Sequence, residues 1–252
     1  MQHVVPAGPN FKDHFSAQSA GYARHRPLYP REMFAYLADL SGRRLAWDCA
    51  TGNGQAAVAL ADHFERVIAT DASRAQIDAA ITHPVVSYRV ATAEESGLGK
   101  DSVDIVTVGQ ALHWFDTGRF FAEASRVLAE GGVVAAWCYE LCNTSPDCDR
   151  VVASLYTDIV GAFWPPERRL IEERYAGIVF PGNELATPEF EMTARWTADD
   201  MLGYLRTWSA CQRYLVEHGE DPVGLVEEEL RRAWGTAPRT VCWPLTLKVA
   251  RL

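Results

Sequence analysis

The chain has 252 residues, enough for one large α/β domain or for a core domain with a cap, and 48% hydrophobic with 23% charged residues is the usual make-up of a globular protein. Its 24 basic and 33 acidic side chains give a formal net charge of −9, and no dense Lys/Arg run occurs. Binding to naked nucleic acid through its backbone, which requires a concentrated basic face, is therefore disfavoured, and a small-molecule partner suits the chain better.

The first ten residues, Met1 to Asn10, contain neither a basic n-region nor an apolar h-region, so no signal peptide is expected. No apolar run reaches the length of a membrane span, so a cytoplasmic chain with no membrane partner is expected. Phe15, Tyr22, Arg24, Arg26, Pro27, Tyr29 and Pro30 precede the first strand. They are read either as a cap (1–43) folding over a pocket, where an Arg pairs with a carboxylate, or as ordinary surface residues.

From about Arg44 to Trp137, short apolar runs alternate with helical patterns, the signature of a parallel sheet. The runs are Leu45–Cys49, Arg66–Thr70, Val85–Val90, Val103–Val108 and Val133–Trp137. Ser73 and Gln76 form a capping box for a helix with Ile77, Ala80 and Ile81 on its buried face. Asp116 or Thr117 opens another, with Phe120, Phe121, Ala124, Val127 and Leu128 in phase and Gly131-Gly132 ending it. Asp149 to Phe163 reads as a helix stopped by Trp164-Pro165-Pro166, and Glu167 to Tyr175 as a charged one. Phe190–Trp196 alternates like an antiparallel strand, and Thr197 and Asp200 cap a helix carrying Met201, Tyr204, Leu205 and Trp208. Asp221-Pro222 starts the last helix and Gly235 closes it. Val241–Val249 is the final strand, expected near a sheet edge because of Pro244. The expected fold is a Rossmann-like α/β single domain of seven strands, five parallel plus two late antiparallel ones, with helices on both faces. Its parts are a core (44–140), a helical insertion and candidate lid (141–188), and C-terminal elements completing the sheet (189–252).

The six cysteines show no CxxC pair and no His/Cys ligand spacing, so no metal is expected and buried thiols in a reducing cytosol are the simplest reading. The chemistry concentrates at the ends of the apolar runs. Leu45 to Ala57 brings an apolar run to Asp48, followed by a loop with Gly52 and Gly54. Glycines there let a backbone approach a ligand closely, and an acid beside them repels a pyrophosphate but tolerates a cofactor carrying an amine and a sulfonium. Asp71 closes the second run and suits the two hydroxyls of a ribose; its alternative role is a helix cap, although Ser73 already fills that place. Small residues at Thr92-Ala93 suit an adenine edge or a plain turn. His113 and Trp114, after the fourth run, face the expected ligand crevice; His113 is read as an acceptor-orienting or proton-accepting residue, or as a structural histidine beside a packed tryptophan. The eight tryptophans are read mostly as core, with an apolar acceptor cavity as the alternative.

Together, these residues resemble the class I S-adenosylmethionine-dependent methyltransferases, and more narrowly the type 11 group related to trans-aconitate methyltransferases. The resemblance rests on Phe15-Ser, Ala20-Gly-Tyr22, Arg26-Pro-Leu-Tyr29-Pro30, Asp48-x-Ala-x-Gly52-x-Gly54, Asp71, Ala93-Glu94-Glu95 and Gln110-Ala-Leu-His113-Trp114-Phe115. Thr207-Trp208-Ser209, Trp234-Gly235 and Trp243-Pro244 extend it to the tail, so it spans nearly the whole chain. It implies S-adenosyl-L-methionine as cofactor, with Asp48, Ala50, Gly52 and Gly54 around its methionine part. It further implies Asp71 and Ala72 at the ribose, Thr92-Ala93 beside adenine, Gln110 near the sulfonium, and Tyr22 and Arg26 in the same site. Ala50 stands where the family usually has glycine, and Thr92 where an acid often contacts the adenine amine. A small-molecule acceptor such as a carboxylic acid follows from the likeness, with His113 and Trp114 at the acceptor. A non-catalytic cofactor-binding protein and an NAD(P)-dependent reductase are the competing readings, the latter because Gly52-x-Gly54-x-x-Ala57 loosely fits a dinucleotide fingerprint.

Overall fold

The computed structural model describes residues 27–252. Tyr22 and Arg26, with most of the expected cap, lie outside the described residues.

Eight strands form one sheet: β1 (Leu45–Cys49), β2 (Arg66–Asp71), β3 (Val86–Val90), β4 (Val103–Gly109), β5 (Leu128–Tyr139), β6 (Asn183–Leu185), β7 (Phe190–Trp196) and β8 (Arg239–Arg251). Their order is β3-β2-β1-β4-β5-β8-β6, with β7 also paired to β8. The pairs among β1 to β5 are parallel, and β8 runs antiparallel to β5, β6 and β7. Every residue of β1 is buried, as are the first six of β4, because helices cover both faces of the sheet. Alternate residues accordingly feed two cores: Ala46, Ile105, Val133 and Ala135 on one face, and Trp47, Val106, Val134 and Ala136 on the other. β3 is the exposed edge, and its Ser87 and Arg89 face solvent. Chain order reverses between β1 and β4, so a crevice opens beyond their carboxyl ends.

The structure departs from the sequence-based elements in several places. The helix Arg74–Asp78 has only five residues; Ser73 Oγ accepts from Gln76 N at 3.4 Å, but Ile81 is 46% exposed and the buried side chain is Gln76. A helix that short cannot keep an i, i+3, i+4 stripe over the core. The helix Thr117–Val127 ends before Leu128, which already pairs with Val103 in β5. Gly131-Gly132 therefore lies inside β5, at the irregularity where the partner shifts from Val103/Leu128 to Ile105/Val133. A Cβ on Gly132 would stand 2.9 Å from the Ala129 carbonyl oxygen, which is why glycine is needed there. The helix expected from Asp149 begins at Pro146, and after Ser154 it widens into a π-turn over Leu155–Ile159. Its Cys148, Val151, Val152 and Leu155 are part of the main core.

β8 is not an edge strand. It is flanked by β5 on one side and by β6 and β7 on the other. Cys242 N–H donates to the Asn143 carbonyl, so the Pro244 nitrogen, two residues on, faces the same side. The β5 ladder stops at the next residue, Leu245 opposite Tyr139, so no sheet hydrogen bond is lost. Thr197 and Asp200 form the expected reciprocal cap. Five of the cysteines are buried and all six are free thiols. No helix among the described residues is long and apolar enough to cross a membrane.

Candidate functional site

Both strands at the crossover leave the sheet through a left-handed residue. Ala50, one past β1, has φ +54°, and Gln110, one past β4, has φ +53°. Non-glycine residues pay roughly 1–2 kcal/mol for this conformation, and such strain persists where surrounding bonds over-determine it. Around Ala50 those bonds are visible. Thr51 N–H donates to the Thr70 carbonyl at 2.9 Å, and Gly52 N–H donates to Asp71 Oδ2 at 2.9 Å. The other Asp71 oxygen accepts from Ser73 N–H at 2.8 Å, so one half-buried carboxylate ties together the turns after β1 and β2.

The two loop glycines do different work. Gly54 (φ +89°) stands before the helix Gln55–Leu60, and a Cβ there would lie 2.2 Å from the Tyr88 hydroxyl. Its glycine is required by the neighbouring strand, a cause sequence reasoning had assigned to a ligand. Gly52 (φ +57°) faces open space; the nearest atom to a Cβ there, Gln76 Oε1, is 3.9 Å away. That leaves a concave stretch of backbone free for a ligand.

Asp48 is only 1% exposed. Its Oδ2 accepts from Thr51 Oγ1 at 2.5 Å and its Oδ1 from Thr107 Oγ1 at 2.8 Å. Burial pushes its carboxyl up to about 6, with the charge of Asp71 adding to the effect and the two hydroxyls opposing it. The buried Cys49 thiol is pushed well above its ordinary value by burial and then by Asp48, Asp71 and Glu94. Two carboxylates thus hold the loop, Asp71 on the Gly52 N–H and Asp48 on the Thr51 hydroxyl, and give it a negative field. Ala72 and Thr92 flank it half-buried, with Ala93 buried beside them.

Gln110 closes the other side of the crossover. Its Oε1 accepts from Tyr139 N–H at 2.8 Å and its Nε2 donates to the Tyr139 carbonyl at 3.2 Å, so the side chain clasps the end of β5. Gln110 also lines an open cleft with an enclosed volume of about 80 Å³. His113, Trp114, Tyr139 and Leu141 line it too, together with Trp164, Arg168, Tyr204 and Trp208. His113 is 7% exposed, and its Nδ1 lies 3.2 Å from the Tyr175 hydroxyl. Burial, and then the nearby Arg168 charge, lower its pKa to about 3, so its imidazole is neutral at pH 7. Of the C-terminal tryptophans, Trp234 and Trp243 are core, whereas Trp164 and Trp208 line the cleft.

Arg168, Tyr139 and Tyr204 were not singled out from the sequence. Nothing local distinguishes Arg168 from Arg169, its exposed neighbour in the same charged helix; only the turn at Pro165-Pro166 aims the first at the cleft.

Comparison with known proteins gives a consistent picture. Residues 47–136 match the model of the Methyltransferase domain family (Methyltransf_11). A provisionally named methyltransferase of Dictyostelium discoideum is 33% identical, covering 94% of this chain and 92% of that protein. The methyltransferase cfoB of Aspergillus candidus is 26% identical over 81% of this chain and 67% of its own. Among solved structures, a provisionally named type II methyltransferase from Anaeromyxobacter dehalogenans is 44% identical with a TM-score of 0.84, covering 90% of this chain and 97% of that one.

Proposed function

The chain belongs to the class I S-adenosylmethionine-dependent methyltransferases, and from that premise we propose that it methylates a small carboxylic acid, with the cofactor on the loop after β1 and the acceptor in the aromatic cleft. The observation that carries this reading is the pairing of Asp48 and Asp71 with an open, left-handed loop through Thr51 and Gly52. That field suits a ligand with a positive sulfonium and amine and opposes the pyrophosphate of a nicotinamide dinucleotide. S-adenosylmethionine, when bound, supplies a methyl group already activated by its positive sulfur.

The residues then have separable tasks. Asp71, which anchors the turns after β1 and β2, is assigned to the ribose hydroxyls, with Ala72 alongside. Thr92 and Ala93 pack beside the adenine. The backbone from Ala50 to Gly54 receives the methionine part over the field of Asp48. Tyr22 and Arg26 are assigned to the same site by the resemblance alone. Gln110 keeps the β4 turn in its strained shape, so that the acceptor's cleft abuts the cofactor. A carboxylate acceptor is ionised at pH 7 and has no proton to surrender, so no general base is needed. Neutral, buried His113 fits that scheme as a positioning residue and Trp114 as a wall. Residues 141–188 serve as one side of the acceptor cleft.

The test is calorimetric titration with S-adenosylhomocysteine. Micromolar binding by the wild type that Asp71→Ala loses supports the reading. Folded wild-type protein that ignores the product and binds NADH instead refutes it.

A further inference from the structure

The cleft lining includes a cation that, among the described residues, has no carboxylate in direct contact. The Arg168 Nε donates to the Tyr156 hydroxyl at 2.9 Å, and its guanidinium carbon sits 4.9 Å from the Trp164 ring centroid and 5.4 Å from that of Tyr156. The Tyr156 hydroxyl in turn donates to Glu172. Arg168 is thereby held from behind and on its faces, yet among the described residues it forms no ion pair. The cleft's own carboxylate, Glu140, points its charge elsewhere, to Arg174 Nε at 2.5 Å. A half-buried guanidinium fixed on an aromatic shelf, with Nη donors that bond none of the described residues, is a preorganised receptor for an oxyanion.

A second donor faces the same space. The Tyr175 hydroxyl lies 3.2 Å from His113 Nδ1. With the hydroxyl as the donor in that contact, the neutral imidazole carries its proton on Nε2, which is then a hydrogen-bond donor. His113 and Arg168 line one cleft and lie close enough for the arginine's charge to weigh on the imidazole.

We propose that Arg168 and the Nε2–H of His113 form the recognition site for a carboxylate of the acceptor, whose flat or apolar body lies against Trp164, Trp208 and Tyr204. Naming the occupant as the acceptor rests on the methyltransferase reading; the anion site itself does not. One cation, with a carboxylate in the same cleft, matches a singly charged group and disfavours a phosphate dianion. The aromatic wall selects acids with a planar or hydrophobic body over short hydrophilic ones. Arg168 is a specificity residue here, and His113 a positioning donor.

The experiment compares trans-cinnamate with cinnamamide, and benzoate with benzamide, by calorimetry, with and without S-adenosylhomocysteine. Wild-type protein is expected to prefer each acid over its amide by at least about tenfold, with the preference shrinking as salt rises. Arg168→Gln should abolish the preference while its affinity for S-adenosylhomocysteine stays within about twofold; His113→Phe should lower it about threefold. Arg168→Lys, which retains the charge and the fold's cation, should keep part of it. Equal binding of acid and amide by the wild type overturns the proposal, as does an undiminished preference in Arg168→Gln. Failure of S-adenosylhomocysteine to bind the wild type, with the acid preference intact, would instead strike the methyltransferase site and leave the anion site standing.

Discussion

Replacing Asp48 by Asn exposes a conflict between folding and binding. Asp48 is completely enclosed, and its carboxyl is raised from 3.8 to about 6, which corresponds to about 3 kcal/mol of cost for holding the charge in the fold at neutral pH. An amide of the same shape removes that cost but weakens the bonds from Thr51 and Thr107, a loss of about 1 kcal/mol. Asp48→Asn should therefore be about 2 kcal/mol more stable than wild type at pH 7.5 by urea denaturation. For a carboxyl raised in the fold, protonation favours the folded state; this contribution is complete below 3.8 and lost as pH rises through about 6. The advantage of the variant should accordingly vanish by about pH 4. Binding should move the opposite way. Loss of the charge beside the loop should weaken S-adenosylmethionine by about tenfold, roughly 1.4 kcal/mol, and S-adenosylhomocysteine, which lacks the sulfonium, by less. A variant less stable than wild type at pH 7.5, or a difference constant from pH 4 to 7.5, would refute the reasoning.

Two further outcomes are expected. Ala50→Gly relieves a left-handed alanine at φ +54°; after the extra freedom of glycine in the unfolded chain is subtracted, a gain of up to about 1 kcal/mol remains, or roughly 2–4 °C in Tm by calorimetry. His113 has its pKa lowered from 6.5 to about 3, so its share of stability is present above pH 6.5 and lost as pH falls through the window to about 3. Wild type should lose stability relative to His113→Asn by about 1.4 kcal/mol per pH unit there, near 3 kcal/mol at pH 4.5, measured by denaturant titration at several pH values.

The parallel half of the fold was legible because each buried strand writes itself as an unbroken apolar run. Leu45–Cys49 was read to the residue, and the others to within one or two, save β5. At β5 the glycine pair was mistaken for a stop, because the kink it permits depends on how Val103 and Ile105 pair across the sheet. β6 has three residues and no pattern of its own; β8 alone makes it a strand. Pro244 argued for an edge, and only the place where β5 ends shows why a central strand can hold it.

The site divides along the same line. The sequence already placed Asp48, Gly52, Gly54 and Asp71 around one turn, because a short loop joins a strand to a helix and its geometry is local. Yet the sequence was silent on why Gly54 is glycine, since Tyr88 arrives from another strand. The cleft was decided wholly by tertiary structure. Arg168 meets Tyr156 and Trp164, and lies near His113, only through the fold, and among the described residues it forms no ion pair. By itself the sequence determined a strand-loop-helix unit with an acid at its mouth. The pairing of distant side chains, which sets charge and shape in the aromatic cleft, came from packing, because such contacts leave no mark in the spacing of residues.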